Sequence, residues 1–193
     1  MSLRSFALAL AALGLAGCGI QSIPRSENAV AAAWAEVENQ YQRRADLVPN
    51  LVETVKGYAS HEKETLDAVV SARARATQVT ISADELTPEN LQKFEEAQGQ
   101  LRSALGRLLA VAENYPNLKA NENFRDLQVQ LEGTENRIGI ARRRYIESVQ
   151  QFNDLVTVPP TSWTNSMFLH KKPKAQFTAT TQGAQEAPKV DFQ

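Results

Sequence analysis

The 193-residue sequence predicts an all-α fold, an antiparallel four-helix bundle of long helices with a short C-terminal helical piece and a disordered tail. Three observations lead there. Apolar residues recur at alternating spacings of three and four over most of the chain, which is one face of a helix. Ala, Leu, Gln, Glu and Arg dominate the composition, and these are good helix formers. Proline-containing corners are few and fall between the apolar stripes, where chain reversals belong.

The chain opens with a basic start, Met1 to Arg4, then an apolar run from Phe6 to Leu15, then Leu15-Ala16-Gly17-Cys18. That order describes an export signal ending at a small-residue cleavage site. The run is shorter than the roughly 20 residues of a membrane span. The tetrad resembles the lipobox of bacterial lipoproteins, in which the cysteine thiol is lipidated and the signal is cut before it. An ordinary signal peptide is the alternative. Cys18 is the only cysteine, so no internal disulfide competes for it. One acyl chain holds a protein only marginally, whereas two or three hold it firmly. Gly19 stands where an Asp would favour inner-membrane retention. By resemblance to Gram-negative sorting, the expected address is the periplasmic face of the outer membrane, with the inner membrane as alternative.

Residues 1–17 are therefore read as a lipoprotein signal peptide and 18–26 as a lipidated N-terminus and linker containing Pro24. The first stripe runs Val30, Trp34, Val37, Tyr41, Ala45, Val48. Pro49 interrupts it, and Leu51, Val52, Val55, Tyr58, Leu66 and Val69 continue to about Ala76. A loop over 77–87 ends in Thr87-Pro88-Glu89, a helix start with Thr as N-cap and Pro in the first turn. The third stripe is Leu91, Phe94, Leu101, Leu105, Leu108, Ala112. The fourth is Phe124, Leu127, Leu131, Thr134, Ile138, Ala141, Tyr145, Val149, Phe152, stopped by Pro159-Pro160. A small apolar patch follows at Trp163, Met167 and Phe168. The bundle is bounded at 27–170, and 171–193 is read as a flexible tail with little to bury.

Two corners look alike: Val48-Pro49-Asn50-Leu51 and Tyr115-Pro116-Asn117-Leu118. Reading both as reversals yields four antiparallel helices. The alternative at Pro49 is a kink in one long helix, because the stripe stays in phase across it. The reversal is preferred, since a continuous helix over 27–76 would run about 75 Å and leave Trp34 and Tyr41 without a partner of matching length.

Three blocks carry a family resemblance. They are Gln40 to Ala59 (QYQRRADLVPNLVETVKGYA), Glu113 to Ala120 (ENYPNLKA) with Phe124-Arg125-Asp126-Leu127-Gln128, and Leu131 to Ile138 (LEGTENRI) with Ala141-Arg142-Arg143-Arg144-Tyr145. In this order they resemble the LemA family, over about Asn28 to Phe168. The resemblance implies a helical bundle tethered to a bacterial membrane by its N-terminus, with no settled biochemical activity. It also implies envelope partners, because relatives are found beside membrane zinc proteases and other envelope factors. The lipobox in place of a transmembrane helix departs from the common pattern.

Known chemistries find little footing. With Arg4 removed, 21 basic against 22 acidic residues becomes a formal charge of −2, which excludes the strongly basic balance of a nucleic-acid binder. His61-Glu62-Lys63-Glu64-Thr65 begins like a zinc-protease helix, but Thr65 replaces the second histidine and His170 is the only other one. Glu132 and Glu135 lack the histidine of a di-iron site. No nucleophile has a base in frame, and no glycine-rich phosphate loop occurs. No catalytic, metal or cofactor-binding residue is assigned, and the chain is read as a non-enzyme.

What remains is charge. Arg142, Arg143 and Arg144, with Arg137 one turn earlier, form the densest run, each able to reach water beside the core positions Ala141 and Tyr145. A solvated face paired with Glu135 and Glu147 is the plain reading. A docking patch for an acidic partner or lipid headgroups is the sharper one. Arg43 and Arg44, near Asp46, invite the same two readings. Gln98, Thr134 and Asn136 are expected to bond neighbouring helices. The functional expectation is a non-enzymatic, membrane-tethered interaction or scaffold module for envelope proteins. The alternatives are a small-molecule, lipid or metal carrier using the bundle core, and an accessory factor of a membrane protease.

Overall fold

The computed structural model describes the backbone of residues 3–177 and the side chains of residues 20–177. Helix α1 spans Leu3–Lys56, α2 Lys63–Gln78, α3 Pro88–Ala112, the single turn α4 Pro116–Lys119, and α5 Glu122–Thr157. The one-turn α6 (Thr161–Thr164) and a π-helical turn over Asn165–Leu169 follow. Among the described residues there is no strand. The bundle legs are α1, α2, α3 and α5, packed in the pairs α1–α5, α2–α3 and α1–α2. Arg44 meets Glu135 while Tyr41 meets Arg142, so α1 and α5 run antiparallel.

The expected stripes are the buried faces. Val30, Trp34, Val37, Tyr41, Ala45 and Val48 are all buried, as are Phe124, Leu131, Thr134, Ile138, Ala141, Tyr145, Val149 and Phe152. Helix starts follow local chemistry. Thr87 Oγ1 accepts from Asn90 N at 3.3 Å with Pro88 in the first turn, and Asn121 Oδ1 accepts from Phe124 N at 2.9 Å. Each satisfies a helix-end amide that has no partner within its helix.

Pro49 is not a reversal. It lies inside α1, and the chain turns only at residues 57–62. Proline has no N–H to give the carbonyl four residues back, so Ala45 O loses its helical donor. Arg73 of α2 replaces it, its Nε donating to Ala45 O at 2.9 Å. Neither half of the long helix lacks a mate. Helix α5 has 36 residues, about 54 Å, and so matches in length the part of α1 from residue 20 to residue 56. Trp34 and Tyr41, which a continuous helix was expected to strand, are 1% and 5% exposed. The Pro116 corner does reverse the chain, through α4, with Leu118 fully buried. It closes against the 57–62 turn, where Tyr115 Oη donates to Glu62 Oε1 at 2.8 Å and Asn121 Nδ2 donates to Tyr58 Oη at 2.9 Å.

Two further expectations are corrected. The segment read as a linker is part of α1, and Ile23 within it is fully buried. The tail read as flexible from 171 packs on the bundle through Phe177, while residues 178–193 lie outside the described part. The 16-residue α2 is too short to cover the lower half of α1. Ile81 and Leu86 of the α2–α3 loop, together with the returning strip 171–177, cover it instead. Trp34 Nε1 donates to Ile81 O at 2.8 Å, and Tyr145 Oη donates to Ala175 O at 2.8 Å. Asn153 brackets the Lys174 backbone with two hydrogen bonds, at 3.0 and 2.8 Å. Trp34, Phe94, Tyr145 and Phe177 then pack ring against ring, mostly edge to face, at centroid distances of 5.2–6.1 Å, a favoured arrangement of ring quadrupoles.

Candidate functional site

The buried apolar residues fall into two clusters, one near the corners and one around Trp34. Between them lies a polar layer. Arg44 is 1% exposed, and its Nη1 pairs with Glu135 Oε1 at 2.8 Å. Its Nη2 donates to Gln98 Oε1 at 2.7 Å and to Gln98 O at 3.1 Å. Gln98 Nε2 in turn donates to Ala76 O at 3.1 Å, near the end of α2. Thr134, with no exposed surface, satisfies its hydroxyl on Gln130 O at 2.8 Å. One arginine thus joins α1, α3 and α5, and Gln98 extends the layer to α2. Sliding α1 by one turn would bury the Arg44 charge without partners, so the layer fixes its register.

The layer opens into a cavity of about 380 Å³ reached by Tyr41, Glu95, Arg102, Asn136 and Arg142. Arg142 Nη2 pairs with Glu95 Oε1 at 2.6 Å, Nη1 donates to Tyr41 Oη at 3.4 Å, and the guanidinium stacks on Phe177 at 4.1 Å. Arg44 likewise lies 4.9 Å from the Tyr41 ring. Both acids in the cavity wall hold arginines, and no His, Cys or Ser lines it. Its acids are thus held by its arginines, with Arg102 as a further cation in the wall. Among the described residues no three His, Cys, Asp or Glu side chains gather as metal ligands.

The arginine expectations divide. Arg44 is buried in its ion pair and is not available as a docking surface, whereas Arg142, its side chain 32% exposed, is engaged with Glu95 at the cavity wall. Glu135 is not a partner of the arginine run; it belongs to Arg44. Arg43, Arg137, Arg143 and Arg144 are exposed, with Arg137 Nη2 donating to Thr134 Oγ1 at 3.2 Å. The sequence does hold the signal that separates them. Arg44 stands three residues after Tyr41 and four before Val48, and Arg142 stands four after Ile138 and three before Tyr145. Both sit on the stripes, and Gln98 likewise falls between Phe94 and Leu101. Gln98 bonds neighbouring helices as expected, whereas Thr134 is satisfied within its own helix, by Gln130 O and Arg137, and not by a neighbour. Asn136, also expected to bond a neighbouring helix, is exposed at the cavity mouth. Cys18 falls within the α1 span, and its side chain lies outside the described residues.

Of the other ionisable groups, Glu38 and Tyr145 are perturbed by burial. Burial raises the Glu38 carboxyl above its ordinary range, outweighing hydrogen bonds from the Ile81 backbone and the Trp34 side chain. Burial also raises the Tyr145 phenol. Neither lines the arginine cavity.

These features describe an all-helical bundle built around an internally neutralised polar layer. The LemA family model matches residues 33–192, and the chain belongs to the LemA family. It is similar to Protein LemA of Metamycoplasma hominis, 25% identical over 141 residues, covering 73% of this chain and 59% of that protein. It is also similar to the Magnetosome protein MamQ of Magnetospirillum gryphiswaldense, 29% identical over 84 residues, covering 40% of this chain and 31% of that protein. The chain therefore spans less than two thirds of the curated relatives it matches.

Proposed function

We propose that this LemA-family chain is a non-enzymatic, lipid-tethered helical module of the bacterial cell envelope that holds or regulates envelope proteins. The observation that carries this reading is the path of α1. The Leu15-Ala16-Gly17-Cys18 tetrad and the core residues from Ile23 onward share one helix, so whatever holds Cys18 holds the whole bundle. Among residues 20–177 no helix is long and apolar enough to cross a membrane. The arginine cavity supports the non-enzymatic part, since its acids are already paired. Exposed Arg43, Arg137, Arg143 and Arg144 remain as the basic surface for an acidic partner.

Labelling cells with a fatty-acid analogue tests the tether. Wild type should take up label and fractionate with the envelope, and Cys18→Ala should do neither. An unlabelled wild-type protein refutes the tether. Crosslinking in the intact envelope tests the module, with Arg143→Glu expected to lose partners while keeping its helicity. Unchanged crosslinks after charge reversal at all four exposed arginines would reject that surface.

A further inference from the structure

The end of the bundle away from the two corners carries an apolar surface that no described part of the chain covers. Val158, Trp163, Met167 and Phe168 are 52%, 64%, 69% and 60% exposed. Single exposed hydrophobes are ordinary, whereas four large ones in one short stretch mark a contact surface. The stretch is firmly held. Asn165, buried beneath it, donates to Val156 O at 3.3 Å and Lys171 O at 2.9 Å, and accepts from Lys171 N at 2.9 Å. These contacts keep the neighbouring large side chains turned outward.

Its place in the fold says what covers it. Val158, Pro159 and Thr161 share a groove with Arg25, Ser26 and Ala29 of α1. Lys171 pairs with Glu27 at 2.8 Å, and Lys174 approaches the same carboxylate at 3.6 Å. The patch therefore lies at the level of residues 23–29, and Cys18 is only about 7.5 Å of helix from Ile23. Exposed Ile20, 47% accessible, stands on the same stretch of α1. Arg25 and Lys172 are exposed around it, against one exposed acid, Asp154. Tryptophan with aliphatic and aromatic neighbours, fringed by basic side chains, is the chemistry of a bilayer interface.

We infer that this end is a lipid-surface contact, in which Trp163, Met167 and Phe168 enter the headgroup region while Arg25 and Lys172 face anionic headgroups. The inference rests on the tethered reading proposed above and adds an orientation to it. The bundle stands with this end on the membrane and the 57–62 and Pro116 corners directed away.

The test uses the full lipidated chain reconstituted in phosphatidylethanolamine–phosphatidylglycerol vesicles whose acyl chains are brominated near the headgroup. The protein has two tryptophans, and Trp34 is 1% exposed, so quenching reports Trp163. The Trp163 emission should fall roughly twofold in brominated vesicles, as expected of an interfacial ring, and Trp163→Phe should abolish the response. Met167→Glu/Phe168→Glu should still float with the vesicles but lose the quenching. Wild type that floats yet is not quenched overturns the inference and leaves the tether standing. Unquenched Trp163 that is nonetheless shielded from aqueous acrylamide overturns it in favour of a second copy or a protein partner on the patch. Wild type that does not float removes the tether and the inference with it.

Discussion

Replacing Arg73 should cost stability only because residue 49 is a proline. Arg73 Nε donates to Ala45 O at 2.9 Å, the carbonyl that Pro49 leaves without a helical donor. Ala45 is 3% exposed, so water is a poor substitute. Arg73→Met keeps most of the aliphatic stem and removes the donor. The unsatisfied carbonyl should cost about 1–3 kcal/mol. Taking about 2 kcal/mol, a domain of this size loses roughly 4–8 °C in Tm. In Pro49→Ala, the backbone amide restored at that position can supply the missing bond itself, so adding Arg73→Met should then cost only about 0.5 kcal/mol or less. Urea unfolding followed by helical circular dichroism on the four proteins of this cycle gives the coupling. Equal costs of Arg73→Met in both backgrounds would overturn this account, leaving the Arg73 contact incidental to the proline.

Arg44→Met should destabilise by about 2–3 kcal/mol, less than for a fully buried pair. The smaller loss follows because the Glu135 side chain is 33% exposed and can turn to water, whereas Gln98 is only 7% exposed. Arg44→Lys should not rescue it, since a single ammonium cannot span Glu135 and both Gln98 oxygens; a neutral Arg44→Met in thermal unfolding would dismiss the register role. Glu38 has a folded-state pKa raised by burial. The stability linked to its proton is therefore present below the ordinary carboxylate pKa and lost as pH rises through the folded value. Glu38→Gln should accordingly match wild type in acid and exceed it in Tm at neutral pH, and a difference that does not change with pH would contradict the assignment.

The two Pro-Asn-Leu corners show how far residue patterns reach. At Pro116 the apolar stripe ends and a capped helix begins at Asn121, so the reversal is legible from neighbouring residues alone. At Pro49 the stripe continues in phase, and helix periodicity fits a reversal and an uninterrupted helix equally well. The decision rests on Arg73, Ile81 and Phe177, which are remote in sequence from the helix they support. The same limit applies to the arginines. Arg43 and Arg44 are adjacent in sequence, yet one is exposed and the other is the most buried charge among the described residues. Its stripe position hinted at this, but a buried guanidinium is tolerable only where Gln98 and Glu135 converge from two other helices.

Residue order alone establishes the all-α class, the buried faces, the start of α3, and the LemA resemblance that the family match bears out. These depend on side-chain spacing and on hydrogen bonds spanning a few residues. Long-range packing settles the rest: α1 runs unbroken through Pro49, residues 171–177 close the lower core, and Arg44 is buried in its ion pair while Arg142 engages Glu95. Each of those outcomes depends on a donor, a ring or a carboxylate delivered from a distant segment. Local propensity is blind to partners that folding alone brings together.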